Sequence, residues 1–142
     1  MTIMEAIKKG MIELKNADIE TPKLKARLLM QFTLNKPRQY IIVNDLNKLT
    51  AKEENQYFSA IKKMRQGVPL EHITHQREFM KLNFFVNENV LIPRQDTEIL
   101  VEEVINIAKK ANAKTILDLC TGSGAIAVSL AKYLPNTEIT AV

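Results

Sequence analysis

The chain has 142 residues, is 46% hydrophobic and 25% charged, and holds 4 Gly and 5 Pro, the balance of an ordinary globular protein, which excludes collagen-like and disordered classes. Its net charge of +4 is uneven: residues 1–75 carry 13 Lys/Arg against 8 Asp/Glu, and residues 76–142 carry 7 against 8. No apolar run approaches the roughly 20 residues of a membrane span. The N-terminus lacks a signal-peptide pattern, so a cytoplasmic location without membrane attachment is expected. One cysteine, Cys120, allows no internal disulfide, and with only His72 and His75 beside it no metal site is expected.

Thr2 and Glu5 have capping-box spacing ahead of Ile3, Ile7, Met11 and Leu14, which predicts a helix to about residue 16. Thr21-Pro22 pairs a hydroxyl cap with Pro at the first helical position, before a stripe of Leu24, Leu28, Leu29 and Phe32. Pro37 opens a short third helix with Tyr40 and Ile41. Thr50 and Glu53 repeat the capping box ahead of Tyr57, Ile61 and Met64, and Gly67 is the expected stop. The first ~70 residues thus read as a small helical bundle of antiparallel neighbours. The basic excess sits on these helices as Lys8-Lys9, Lys23-Lys25-Arg27 and Lys62-Lys63-Arg65, with no arginine-rich block and no aromatic ladder. Solvated helix faces explain it more simply than a nucleic-acid partner.

The period then changes. Phe79 to Val86 and Val90-Leu91-Ile92, separated by Asn87-Glu88-Asn89, predict a β-hairpin whose turn is the polar triplet. Asp96 is the expected cap of a long helix burying Ile99, Leu100, Val104, Ile107 and Ala108, which ends at Ala111-Asn112. Residues 116–119 read as a short buried strand, 120–124 as a glycine-containing turn, 125–133 as a helix, and 138–142 as a strand, the grammar of a parallel βαβ unit. Two parallel strands make too little core to stand alone, so the chain is expected to be the N-terminal part of a longer protein.

The turn carries the chemistry. Asp118-Leu-Cys120-Thr121-Gly122-Ser123-Gly124 sets a carboxylate at a strand end and two glycines before a helix start. Gly122 and Gly124 let a ligand lie against the main chain, and the first N–H groups of the helix favour an anion. Asp118 can meet an ammonium group where open α/β sheets bind their ligands. The segment Gly122 to Ala127 also fits the dinucleotide pattern G-x-G-x-x-A, but a pyrophosphate gains nothing from a carboxylate there, whereas S-adenosylmethionine (SAM) presents both an amino group and a carboxylate. A purely structural role for Asp118, capping the turn, is the competing reading.

Asp-Leu-Cys-Thr-Gly-Ser-Gly-Ala-Ile-Ala, from Asp118, resembles motif I of class I SAM-dependent methyltransferases. Together with Gly67-Val-Pro69-Leu-Glu-His-Ile73, Arg77-Glu78-Phe79 and the Leu91-Ile92-Pro93-Arg94-Gln95-Asp96-Thr97-Glu98 string, the whole chain is similar to the HemK/PrmC family of protein-(glutamine-N5) methyltransferases acting on peptide-chain release factors. The resemblance implies an α plus α/β architecture: a helical substrate-recognition bundle at residues 1–73, a β-hairpin linker at 74–93, and at 94–142 the truncated start of a Rossmann-like parallel sheet that binds SAM. It implies a cofactor set of Asp118, Cys120, Thr121, Gly122, Ser123 and Gly124, with Thr97 and Glu98 in the pocket wall, S-adenosylhomocysteine as product and a release factor as partner. Asp96-Thr97-Glu98 equally suits a helix N-terminus, where acids face the positive dipole end. Two departures stand out: Cys120 occupies the first glycine position of the general D-x-G-x-G-x-G pattern, and Gln95 the family's usual proline. The family's ribose-binding acid and its Asn-Pro-Pro-Tyr motif, which grips the amide, would fall beyond Val142, so no catalytic residue is assigned and the chain alone is expected to be inactive. An adenine-N6 nucleic-acid methyltransferase and a non-enzymatic protein-binding helical module are the alternatives.

Overall fold

The computed structural model describes residues 1–142, which form seven helices and two two-stranded sheets. They divide into two compact units, Met1–Thr74 and His75–Val142. The first is all helical: α1 (Ile3–Lys15), α2 (Pro22–Leu34), α3 (Arg38–Val43), α4 (Ala51–Arg65) and α5 (Leu70–Thr74). Both capping boxes form. Thr2 Oγ1 accepts from the Glu5 N–H at 3.2 Å while the Glu5 carboxylate accepts from the Thr2 N–H at 2.8 Å, and Thr50 and Glu53 repeat both bonds. Hydrogen bonds from the threonine backbone, and secondarily its hydroxyl, hold both carboxyls below the ordinary glutamate range. Gly67, at φ +91°, closes α4 with a Schellman pair, its own N–H on Met64 O and that of Val68 on Lys63 O.

The core of this unit gathers Leu14, Ala26, Leu29, Met30, Tyr57 and Ile61. Tyr57 is wholly buried, and its hydroxyl donates to Ala26 O at 3.2 Å. Burial, helped by the Glu13 carboxylate, pushes its ionisation well above the usual tyrosine range. Gly10 on α1 is the reason this ring fits: a Cβ there would run into the Tyr57 hydroxyl. Two expectations are corrected. Thr21 sits at φ +51° and makes no capping bond, so α2 starts on its proline alone. The buried face of α2 is Ala26, Leu29 and Met30, with Leu24 and Phe32 exposed, because the small Ala26 permits the closest approach to Tyr57.

The second unit opens with an antiparallel hairpin, β1 (Gln76–Phe79) and β2 (Leu82–Phe85), in which Phe79 pairs with Leu82. The turn is Met80-Lys81, both at positive φ, and not Asn87–Asn89; Val90–Ile92 is no strand. This two-residue turn has the primed geometry that matches strand twist, and its residues lack the Asn-Gly signature that would announce it. Helix α6 (Asp96–Ala111) follows, then β3 (Thr115–Asp118), α7 (Ala125–Tyr133) and β4 (Glu138–Ala141), with β3 and β4 parallel and Asp118 opposite Ala141. Phe79, Phe84, Val101, Ile105, Ala108, Ala125, Leu130 and Leu134 form its core.

On α6 the buried stripe is Val101, Ile105 and Ala108, with Val104 at its margin, whereas Ile99, Leu100 and Ile107 are exposed. The helix is apolar on two faces, and only one meets the hairpin and α7. Gln95, in helical conformation, precedes it, so Asp96 is its first helical residue and no side chain caps it. Strand β3 is likewise covered on one face only: Ile116 packs against the core, while Leu117 is 55% exposed. No helix is long and apolar enough to cross a membrane.

Candidate functional site

Strand β3 carries Asp118 to its carboxyl end, where the side chain is almost fully buried. One carboxylate oxygen, Oδ2, accepts from Thr121 Oγ1 at 2.8 Å and from the Ala127 N–H at 3.2 Å. Asp118 therefore ties the loop to the first turn of α7. Backbone bonds complete the brace: Thr121 N donates to Val142 O, Val142 N to Asp118 O, and Gly124 N to Thr121 O, all within 3.0 Å. These bonds tie the loop to the end of β3, to Val142 and to the first turn of α7.

Three of the five residues 120–124 are left-handed: Cys120 at φ +61°, Gly122 at +59° and Gly124 at +78°. For Cys120 that conformation costs about 1–2 kcal/mol, which explains physically why glycine suits this position. Gly122 is exposed, and an added Cβ there would meet nothing within 4 Å, so open space lies over the main chain. The N–H groups of Gly122, Ser123, Ala125 and Ile126 make no hydrogen bond. Unpaired donors at a helix start, beside a buried carboxylate, suit a ligand with opposite charges a few ångströms apart. Asp118, Cys120, Thr121, Gly122, Ser123 and Gly124 thus come together as one loop, although Asp118 and Thr121 are also its internal braces.

Thr97 and Glu98 are placed differently. The Glu98 carboxylate accepts from the Met80 N–H at 2.7 Å, and the Tyr133 hydroxyl donates to Met80 O at 2.8 Å, so α6 and the end of α7 clamp the hairpin turn from both sides of one residue. These groups, with Arg77, Lys81 and Glu102, line a groove of about 590 Å³. The Thr97 N–H bonds Arg94 O, and no hydrogen bond joins Thr97 or Glu98 to residues 118–124. Glu98 shares the Met80 peptide with Tyr133, the C-terminal residue of α7, whereas Gly124 precedes that helix's first. His75, at φ +56°, stacks on Phe85 and sets Nδ1 3.2 Å from Val86 O, a structural engagement. The Ala127 N–H, the Val142 carbonyl and the Met80 peptide were invisible beforehand, because backbone groups leave no residue-type signal. No group of three or more His, Cys, Asp or Glu side chains is close enough to hold a metal ion.

Comparison with known proteins bears on the whole chain. Residues 5–74 match the family model described as the PrmC N-terminal domain. The chain is 40% identical over 142 residues to a release factor glutamine methyltransferase of Koribacter versatilis, covering 100% of this chain and 51% of that protein. It is 41% identical over 140 residues to the protein of the same name from Shewanella oneidensis, covering 99% of this chain and 48% of that one. A bifunctional methyltransferase of Rickettsia bellii is 32% identical over 166 aligned positions, covering 99% of this chain and 30% of that protein. The chain spans about half the length of the release factor methyltransferases it matches. Residues 5–74 are thus a PrmC N-terminal domain, and the chain's similarity to release factor glutamine methyltransferases runs on from it through the glycine loop.

Proposed function

We propose that this chain forms part of a SAM-dependent methyltransferase that modifies the side-chain amide nitrogen of a glutamine in peptide-chain release factors. The single observation that carries the reading is the Asp118–Gly124 loop: a buried carboxylate at a strand end, open space over Gly122 and unpaired N–H groups at the start of α7. The names of the relatives supply the acceptor. In this reading the second unit begins a Rossmann-like sheet, the free oxygen of Asp118 meets the methionine amino group, and the N–H groups of Ser123 and Ala125 meet the carboxylate. Bound SAM supplies an electrophilic methyl group on a sulfonium. An amide nitrogen is a poor nucleophile, because its lone pair is shared with the carbonyl, so orientation is the main contribution asked of the protein. The groups that orient the amide are not among the residues assigned here, and the 142-residue chain alone is expected to transfer no methyl group.

The test is calorimetric titration of the whole protein with SAM, followed by mass spectrometry of a release factor incubated with both. Binding that weakens at least tenfold in Asp118→Ala, with one added methyl on a glutamine side chain in the unaltered protein, is the expected result. Tighter binding of NAD than of SAM would overturn the cofactor assignment, and methylation of adenine in DNA or RNA would overturn the acceptor.

A further inference from the structure

Helix α7 starts beside the glycine loop and ends against the hairpin turn, and a hydrogen bond to another element stands near each end. In its first turn the Ala127 N–H donates to Asp118 Oδ2 at 3.2 Å, and from its last residue the Tyr133 hydroxyl donates to Met80 O at 2.8 Å. One bond leaves a helix free to tilt and slide; a second, about 9 Å further along the axis, removes that freedom. Packing supplies little of the same restraint. The buried face of α7 is Ala125, Ala127, Ser129 and Leu130, mostly small side chains, and the buried Ser129 hydroxyl makes no hydrogen bond. Small side chains form shallow ridges, which set the height of a helix only weakly.

The far anchor is itself fixed. Met80 accepts the Tyr133 hydroxyl on its carbonyl and gives its own N–H to the Glu98 carboxylate of α6 at 2.7 Å. Met80 and Lys81 both hold left-handed backbone, at φ +50° and +59°, so these bonds place a turn that its residue types do not favour. A continuous path of hydrogen bonds and helix thus runs from Asp118 through α7 and Tyr133 to Met80 and Glu98. We infer that Tyr133, with Glu98 behind it, is a positioning residue: it fixes where the unpaired N–H groups at the start of α7 stand relative to the Asp118 carboxylate, without touching the ligand. The inference rests on the proposed function only for the identity of that ligand. A ligand that bridges a carboxylate and a set of N–H groups tolerates little error in their spacing, and a misplacement of about 1 Å caused far from the chemistry can cost about a hundredfold in rate.

The experiment takes the whole protein through two readouts, calorimetric titration with SAM and amide hydrogen exchange by NMR, both well below the thermal midpoint. Tyr133→Phe removes only the hydroxyl, Glu98→Ala removes the carboxylate, and Glu98→Gln keeps an oxygen for the Met80 N–H. Glu102→Gln, on the same groove, is the control. Tyr133→Phe and Glu98→Ala are expected to raise the SAM dissociation constant about fivefold and to speed exchange of the distant Ala127 N–H by a similar factor, the effect of one lost hydrogen bond. Glu98→Gln and Glu102→Gln should stay within twofold of the unaltered protein on both. Faster exchange confined to hairpin residues 76–85, with Ala127 protection unchanged, would overturn the inference and make the clamp a local brace. An effect of Glu98→Gln as large as that of Glu98→Ala would overturn the hydrogen-bond path. Failure of the unaltered protein to bind SAM would overturn the cofactor of the proposed function, and exchange at Ala127 then decides the positioning role by itself. Should Tyr133→Phe not fold, Glu98→Ala against Glu98→Gln carries the same comparison.

Discussion

At Gly10 two pressures on a helical glycine oppose each other. Alanine would favour the helix by about 1 kcal/mol, but its Cβ would collide with a Tyr57 hydroxyl already fixed on Ala26 O. Moving the phenol gives up a buried hydrogen bond worth about 1 kcal/mol and overpacks the site at about 1–3 kcal/mol. Gly10→Ala should therefore lose about 1–3 kcal/mol in urea denaturation despite its better helix propensity; a gain would show that α1 and α4 can separate freely. Residue types whose side chain, or lack of one, decides their local placement are legible without coordinates: Asp118 ends its strand, and Gly122 and Gly124 take the left-handed backbone of the turn. Gly10 was not, because a glycine chosen for a neighbour far along the chain looks like any other.

Elements were legible in proportion to how local their signals are. Both capping boxes and the Gly67 stop depend on residues three or four apart and are found as expected. The faces of α2 and α6 depend on what packs against them, and there the apolar pattern alone selected residues that lie in solvent, such as Leu24, Leu100 and Ile107. The hairpin turn fails for another reason: Met80 and Lys81 adopt left-handed backbone at φ +50° and +59° without being turn formers. Their strain is offset by the two bonds to the Met80 peptide. Lys81 contributes no such bond, so Lys81→Gly should relieve its left-handed cost and stabilise the second unit by about 0.5–1 kcal/mol, read as a higher guanidinium midpoint. An unchanged or lower midpoint would mean that the lysine side chain is part of the turn's stability.

Across the whole molecule, two separate cores imply two separate stabilities. The helical unit buries large groups such as Tyr57, Leu29 and Met30 completely. In the second unit each strand of the parallel pair has a single partner, and Leu117 leaves one sheet face uncovered. Local opening should follow that asymmetry. Amide hydrogen exchange is expected to be at least tenfold faster in β3 and β4 than in α1, α2 and α4; equal protection would mean that the two units unfold as one. The βαβ order was readable from alternating periods, but the depth to which its strands are covered was not, since burial is a property of neighbours and not of a four-residue run.

Cys120 has a practical consequence. It is the chain's sole thiol, it is exposed, and its left-handed backbone places it inside the glycine loop. A spin label or fluorophore attached by ordinary thiol chemistry would therefore report from that loop and nowhere else, with no engineered cysteine and no competing site to subtract.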